Sequence, residues 1–207
     1  MNTKRLKAIL LMVLTLAPSL GMRGQTAREV LDKAAAIVGN KKGVEADFVI
    51  KGLQQASGTI QVKGKKFHAA TAQAAIWFDG KTMWTYMKNS DEVNITHPSQ
   101  KQLQVMNPYN FINIYKKGYM MEMTKEKGAY KIHLTATDSQ QHIEEMYITV
   151  NTSNYHLKEV KMSHGRGQGK KGWNTYTITS LRQKSLVDSS FAFQSKDFPT
   201  AEVIDLR

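Results

Sequence analysis

Hydrophobic and polar residues alternate with a period of two over most of the chain. From Val44 to Lys51, apolar residues take every second position, and charged residues stand between them. Such alternation is typical of a strand with one buried and one solvated face. Similar segments predict further strands at Thr59–Lys63, Lys66–Thr71, Ala75–Phe78, Lys81–Met87, Val93–Thr96, Tyr119–Lys125, Tyr130–Thr137, Ile143–Asn151, Tyr155–Ser163 and Thr175–Gln183. The pattern therefore predicts a mainly β protein with short turns.

Two segments have helical spacing instead. Residues 27–38 carry apolar side chains at intervals of three and four, and Thr26 and Glu29 match a capping box at its start. We therefore predict an amphipathic helix over residues 27–38. The segment Asn107–Lys117 begins with Asn-Pro, which is typical of a helix start, and is unusually rich in aromatic and aliphatic residues. It is predicted to be a short apolar helix between two strand regions.

Glycine-containing turns separate the predicted strands. Asp79-Gly80 joins two strands, and Asp-Gly supplies the positive φ angles of a tight type I′ turn, so we expect that turn here. The segment Gly165–Gly172 contains four glycines and three basic residues. It lacks a Gly-Lys-Ser/Thr ending and a following helix. A flexible loop between strands is therefore favoured over a phosphate-binding loop.

The first 24 residues have the order of an export signal. Three basic residues within the first seven precede an apolar run over residues 8–17, and small or helix-breaking residues follow up to Gly24. We interpret this order as a secretory signal peptide cleaved after Gly24, with Gly21 as the alternative position. A membrane anchor is the competing interpretation, but ten residues fall short of the roughly 20 that a spanning helix needs. Residues 25–207 are expected to form one exported domain.

The chain is strongly basic. Its 207 residues include 29 Lys and Arg against 17 Asp and Glu, a formal net charge of +12. Removing residues 1–24 takes away four basic and no acidic residues, which leaves +8 (25 against 17). An exported protein meets little nucleic acid, so no nucleic-acid partner is predicted. The charge is interpreted as surface solvation, with attraction to anionic lipid headgroups or acidic proteins as alternatives.

The sequence contains no recognisable catalytic or metal-binding motif. Cysteine is absent, which excludes disulfides, thiolate catalysis and cysteine ligands to zinc within this sequence. The six histidines are nowhere spaced as HxH or HxxxH, and no serine lies in a G-x-S-x-G elbow. Glu144 and Glu145 are adjacent in a predicted strand and point to opposite faces. We therefore predict that the protein is not an enzyme and uses no metal or cofactor.

The most prominent feature of the predicted strands is their apolar face. Methionine is frequent, with 11 residues, and its adaptable side chain suits a cavity for variable cargo. An ordinary packed core is the alternative explanation of the same pattern. The residues expected to share this face are Phe48, Ile50, Phe67, Met83, Met87, Met121, Met123, Leu134, Met146, Ile148, Met162 and Ile178.

Several segments resemble the LolA family of periplasmic lipoprotein carriers. Asp79–Tyr86 (DGKTMWTY) and Glu92–Thr96 (EVNIT) are similar to the family's Asp-Gly-Lys-Thr and Trp-x-Tyr strand and the Val/Thr strand that follows it. Asn107–Asn113 (NPYNFIN) stands where the family has a short apolar helix. Phe191–Asp205 resembles the family's closing Phe-x-Phe, Pro and Val-Ile-Asp segment. The shared order of these motifs extends over essentially all of residues 25–207.

The resemblance implies a fold and a binding site. The expected fold is an incomplete, strongly curved antiparallel β-barrel, with an N-terminal helix and a short helical lid that enclose an apolar cavity. Acyl chains would bind to the apolar strand face named above and to the lid residues Phe111, Ile112 and Ile114.

One part of the sequence departs from the family pattern. Family members usually have an Arg-Pro that holds the lid shut, and Val62–Phe67 (VKGKKF) occupies that position without Arg or Pro. Lys65 and Lys66 are the candidates for locking the lid here. Lys cannot make the planar forked contacts of Arg, so the substitution is not conservative.

The resemblance implies a function without catalysis. A periplasmic carrier would move acylated lipoproteins, or another lipid, from the inner to the outer membrane, and its partners would include an inner-membrane release complex and an outer-membrane acceptor. The alternative is a regulatory module of the same fold that senses lipids or lipoproteins. A monomer is expected in either case.

Overall fold

The computed structural model describes residues 25–53, 55–99, 102–103, 114–138, 141, 143–164 and 172–207. Among these residues, the chain forms one complete α-helix, twelve strands and two 3₁₀ turns. The helix is α1 (Ala27–Val38). The strands are β1 (Val44–Gly52), β2 (Ala56–Lys63), β3 (Lys66–Thr71), β4 (Ala74–Phe78), β5 (Met83–Met87), β6 (Glu92–Thr96), β7 (Tyr119–Glu126), β8 (Ala129–Ala136), β9 (Ile143–Asn151), β10 (Leu157–His164), β11 (Gly172–Gln183) and β12 (Glu202–Asp205). The 3₁₀ turns are Asp188–Phe191 and Ser195–Asp197.

All twelve strands belong to one sheet, in the order β12-β6-β5-β4-β3-β2-β1-β11-β10-β9-β8-β7. Neighbouring strands are antiparallel, except that β12 runs parallel to β6. The sheet is curled, and its end strands β12 and β7 do not pair with each other. The predicted mainly β fold with an incomplete, curved barrel is therefore confirmed.

Helix α1 forms where the capping box predicted it. The Thr26 hydroxyl accepts a hydrogen bond from the Glu29 amide (3.2 Å), and the Glu29 carboxylate accepts one from the Thr26 amide (3.0 Å). The helix lies against β7 and β9. Its buried side chains are Val30, Leu31, Ala34 and Val38, and they belong to the same apolar core as the inner face of the sheet. This side is called the concave face below, and the opposite side the convex face.

In the C-terminal part of the chain, the first 3₁₀ turn lies against the convex face of β3 and β4. Phe191 is completely buried there. The rings of Phe193 and Phe198 each contact the ring of Trp77, with centroids 5.6 Å apart. Trp77 alternates with the concave residue Phe78 on β4, so these aromatic rings form a second apolar cluster on the other side of the sheet.

A charged network joins the central strands on the convex face. Glu45 of β1 is buried, and its carboxylate accepts hydrogen bonds from Lys184 (2.5 Å), Gln61 (2.6 Å) and Arg182 (2.7 Å). Arg182 also contacts Asp47 at 3.0 Å. The Lys184 hydrogen bond is the largest cause that lowers the pKa of Glu45 to about 2, against the opposing effect of burial. Glu45 is therefore ionised throughout the neutral range.

The connection at Asp79 differs from the sequence prediction. It is not a two-residue type I′ turn, because only Gly80 has a positive φ, and β5 starts at Met83. The Asp79 carboxylate accepts hydrogen bonds from the amides of Lys81 and Thr82, both at 2.8 Å. These bonds stabilise a four-residue connection in place of the tight turn.

Several strand boundaries also differ from the prediction: β2 begins at Ala56 and β11 at Gly172, each three residues earlier than expected. Tyr155 has a φ of 56° and belongs to the turn before β10, which begins at Leu157. One whole strand, β12, was not predicted by any alternation in the sequence. Its parallel pairing with β6 places the end of the chain at the edge of the sheet.

Candidate functional site

The strand register brings the predicted apolar residues together on the concave face. Phe48 lies opposite Ile178 of β11, and Phe67 lies opposite Phe78 of β4. On the other half of the sheet, Met146 lies between Met162 of β10 and Leu134 of β8. Met83, Met87, Met121, Met123, Ile148 and Ile50 are in phase with these residues. The predicted lid residues Phe111 and Ile112 lie outside the described residues.

Part of this face is a packed core. Seven of the predicted ligand-binding residues are almost completely buried: Phe48, Phe67, Met83, Leu134, Met146, Ile148 and Met162. They form one cluster with α1. Leu134 and Met146 have no exposed surface. These side chains shape the concave face but do not present free surface to a ligand in this conformation.

The remaining described candidates are only half-buried. They are Ile50, Met87, Ile114, Met121 and Met123. Ile50, Met121 and Met123 pack against the edge of the buried cluster. Half-buried apolar side chains beside a closed core are the surface that an apolar ligand can cover. They therefore define the candidate site.

A cleft opens beside Ile50. Its volume is about 320 Å³, and it lies where the ends of β1 and β2 meet the turn between β3 and β4. The apolar lining includes Val49, Ile50, Ala56 and Ala72, and the polar lining includes Lys51, Gln55, Ser57 and Gln73. An apolar cavity of about 150 Å³ is enough to hold a benzene ring, so this cleft has room for part of a larger apolar ligand.

The end of the predicted lid is attached to α1. The Tyr115 hydroxyl donates a hydrogen bond to the Asp32 carboxylate (2.5 Å), and Arg28 donates one to the Lys116 carbonyl (3.2 Å). Tyr115 is almost completely buried. Burial, together with the hydrogen bond to Asp32, raises the pKa of Tyr115 well above its usual value, so its hydroxyl remains a donor. The lid candidate Ile114 is thus held beside α1 by its neighbours.

The two lysines that were candidates for locking the lid have different surroundings. Lys66 forms an ion pair with Asp188 of the first 3₁₀ turn (2.9 Å), and Lys63 contacts the same carboxylate (3.0 Å). Lys65 is exposed in the turn between β2 and β3. The described contacts of Lys66 therefore involve the C-terminal segment, whereas the attachment to α1 involves Tyr115 and Lys116.

Two functional candidates were missed by the sequence analysis. Tyr119 is half-buried on the concave face, in phase with Met121 and Met123, and donates a hydrogen bond to the Ile143 carbonyl (2.7 Å). Burial raises its pKa to about 12. Tyr119 alternates in phase with the two methionines along β7, and this pattern could have placed it on the concave face. No sequence pattern predicts the hydrogen bond between Tyr115 and Asp32, because these residues are 83 positions apart.

The chemistry available at this face is apolar binding. In the described parts of the chain, no group of three or more His, Asp or Glu residues is placed to hold a metal ion. Of the helices in these parts, none is both long enough and apolar enough to span a membrane.

The sequence model of one protein family, described as "Outer membrane lipoprotein carrier protein LolA", matches residues 18–166. The chain belongs to the LolA family. The resemblance of its motifs to that family is therefore confirmed, and the match includes β1–β10 as well as α1. No curated protein matches the chain.

One solved structure shares the fold of this LolA family chain at low identity, and others are similar to it at lower TM-scores. An uncharacterised conserved protein from Thermus thermophilus has a TM-score of 0.58 and 12% identity, over 87% of this chain and 99% of its own. A LolA superfamily protein from Nitrosomonas europaea has a TM-score of 0.45 and 13% identity, over 82% of this chain and 99% of its own. A "putative outer membrane lipoprotein-sorting protein domain" from Vibrio parahaemolyticus has a TM-score of 0.43 and 9% identity, over 79% of this chain and 94% of its own.

Proposed function

We propose that this protein is a periplasmic carrier that binds the acyl chains of lipoproteins, or of a related lipid, on its concave face. The observation that carries the proposal is the set of half-buried apolar residues beside the packed core, on a fold whose family is described as lipoprotein carriers. The carrier would take its cargo from the inner membrane and deliver it to the outer membrane. Residues 1–24 would direct export and be removed.

The energetics of such binding are sufficient. Each buried methylene contributes about 0.8 kcal/mol, so ten methylenes provide roughly 8 kcal/mol before ordering costs. Ile50 and the adjoining cleft would accept one part of an acyl chain, and Met121 and Met123 another part. Methionine adapts its shape at little cost, which suits cargo of variable structure. Neither a metal nor a nucleotide is required for this step.

The segment Asn107–Lys117 would act as the lid. Most of it lies outside the described residues, but its end is held on α1 through Tyr115 and Lys116. In this proposal, these contacts would be the fixed base from which the lid opens and closes. Lid amides should exchange with solvent faster than strand amides without lipid and slow when lipid binds. Equal, slow exchange in both states would oppose this role.

The test compares two adjacent methionines on β7. Met121 is half-buried on the concave face, whereas Met120 is 58% exposed on the convex face. Residues 25–207 are titrated with a fluorescent fatty-acyl probe. Met121→Gln should weaken probe binding about ten-fold, which corresponds to 1.4 kcal/mol, and Met120→Gln should leave it unchanged. Absence of probe binding, or equal binding by all three proteins, would refute the proposed site.

Native mass spectrometry identifies the cargo. Protein purified from its own periplasm should carry acylated species and should be monomeric. A carrier would release the cargo to outer-membrane acceptor material. Retained lipid together with a lipid-dependent interaction with a signalling protein would instead favour the sensor alternative.

A further inference from the structure

The strand β7 forms one end of the sheet, and no described strand lies beyond it. The Thr137 amide donates to the Gly118 carbonyl (2.9 Å), and these residues lie directly opposite in the β7–β8 register. Hydrogen-bonded pairs recur at every second residue of an antiparallel ladder. The even-numbered residues of β7 therefore bond to β8. The backbone groups that point away from the sheet belong to Tyr119, Met121, Met123 and Lys125.

The two ends of the sheet differ in their protection. The strand β12 has only four residues, and Pro199 precedes it closely. The strand β7 has eight residues and no proline, and it pairs with β8 without a register shift. Short strands, prolines and bulges are the usual means by which proteins prevent pairing at an exposed sheet edge. The strand β7 has none of these three means and carries one exposed lysine near its end, Lys125, so most of its length is a suitable template for another strand.

Charge indicates what kind of strand fits. The convex side of β7 presents the exposed Glu122, on a chain whose overall charge is positive; Glu126 on the same side forms an ion pair with Lys131 of β8 (2.7 Å). Its concave side presents Met121 and Met123 and, near the end of the strand, Lys125, whose ammonium lies over the Tyr130 ring. Antiparallel pairing with a second copy would bring the glutamates of both copies onto the same face, where like charges repel. An incoming strand with basic residues on the convex side and apolar residues on the concave side has no such conflict.

We infer that β7 is a docking strand for an extended segment of another protein, which adds to the sheet as a thirteenth strand. Backbone hydrogen bonds to the four odd-numbered residues of β7 provide most of the affinity. Alternating basic and apolar side chains on the incoming segment provide the specificity. Its basic residues contact Glu122 on the convex face, and its apolar residues contact Met121 and Met123 on the concave face. This docking does not depend on lipid binding.

The experiment uses an acetylated, amidated peptide with the sequence Lys-Leu-Lys-Leu-Lys-Leu-Lys. Backbone NMR of residues 25–207 measures the amide exchange of Tyr119, Met121, Met123 and Lys125. These four amides should exchange rapidly in the free protein and slowly with the peptide. A peptide with Glu in place of Lys, and one with alternate amides N-methylated, should not protect them.

Two variants test the strand and its charge. Met123→Pro removes an edge amide that is not part of the β8 ladder, and it should abolish peptide binding. Glu122→Lys should weaken binding about five- to ten-fold through like-charge repulsion. Glu202→Lys makes the same charge change on β12 and should leave binding unchanged. Because Glu122→Lys leaves the backbone intact, it keeps the test valid if the proline variant fails to fold.

Three results would overturn this inference. The first is slow exchange of the four amides in the free protein, which would mean that the protein's own chain covers the edge. The second is equal binding of the Lys and Glu peptides. The third is concentration-dependent dimerisation that protects β7 without peptide, which would assign the edge to a second copy. None of these results affects the fatty-acyl probe assay, so the two proposals can fail separately.

Discussion

Replacing Met146 and Ile50 by phenylalanine should separate the packed core from the binding surface. Met146 is completely buried between β8 and β10, so a ring at this position must displace close-packed neighbours. Overpacking of this kind costs about 1–3 kcal/mol. Ile50 is half-buried and borders the cleft of about 320 Å³, so a ring at this position has space to occupy. Ile50→Phe should therefore change the free energy of unfolding by less than about 0.5 kcal/mol.

Urea unfolding and thermal unfolding measure both effects. In a chain of this length, 1 kcal/mol shifts Tm by about 2–4 °C, so Met146→Phe should lower Tm by about 2–12 °C. The fatty-acyl probe gives the second measurement. Ile50→Phe fills part of the cleft and should weaken probe binding while the protein remains stable. Met146→Phe should mainly lower the free energy of unfolding.

The opposite pattern would refute this reasoning. If Met146→Phe were neutral in stability and displaced the probe, the ligand cavity would lie inside the cluster that we describe as packed. If Ile50→Phe lost stability without any effect on the probe, the cleft would have no role in lipid binding. Thr177→Phe is the control, because Thr177 of β11 is half-buried on the convex face and does not line the cleft.

Two further predictions concern the convex face. The pKa of Glu45 is lowered to about 2 from 4.5, so its stabilising effect is complete above pH 4.5 and is lost as the pH falls towards 2. The full shift corresponds to about 3 kcal/mol, and the half-exposed Lys184 and Arg182 reduce it to about 1–2 kcal/mol. Urea unfolding between pH 6 and pH 2.5 should show this loss in the wild type and not in Glu45→Gln; equal pH dependence would contradict it. Phe191→Ala should destabilise by about 3–5 kcal/mol and change Trp77 fluorescence, whereas Val187→Ala, at an exposed residue, should do neither.

Much of the fold could be predicted because the strands are amphipathic. The alternation in Val44–Gly52 and Ile143–Asn151 follows directly from burial on one face, and α1 has both the helical period and a capping box. The strand β12 could not be predicted, because four residues are too few to show a period and its parallel partner lies about 110 positions earlier. The prediction of a type I′ turn at Asp79-Gly80 was wrong. The Asp79 carboxylate accepts backbone hydrogen bonds and stabilises a longer connection than the one that Asp-Gly favours.

The candidate site was predicted only in outline. Alternation identifies the residues that share the concave face, but it does not show how much of that face α1 covers. Met146 and Met121 have the same pattern in the sequence, although one is completely buried and the other is half-buried. The difference arises from packing between elements that are distant in the sequence.

The pairing of β1 with β11 has a consequence for the order of folding. Strands β1–β6 form one half of the sheet and strands β7–β11 the other. Within each half, consecutive strands are neighbours in the sheet and are joined by short connections, and the connection between β6 and β7 links the two halves. Each half can therefore form from local hairpins. Phe48 and Ile178, by contrast, are 130 positions apart, and closing such a loop costs about 4 kcal/mol of chain entropy before any contact is gained. We expect this seam to be the slow step, so changes along β1 and β11 will slow refolding more than equal changes within either half.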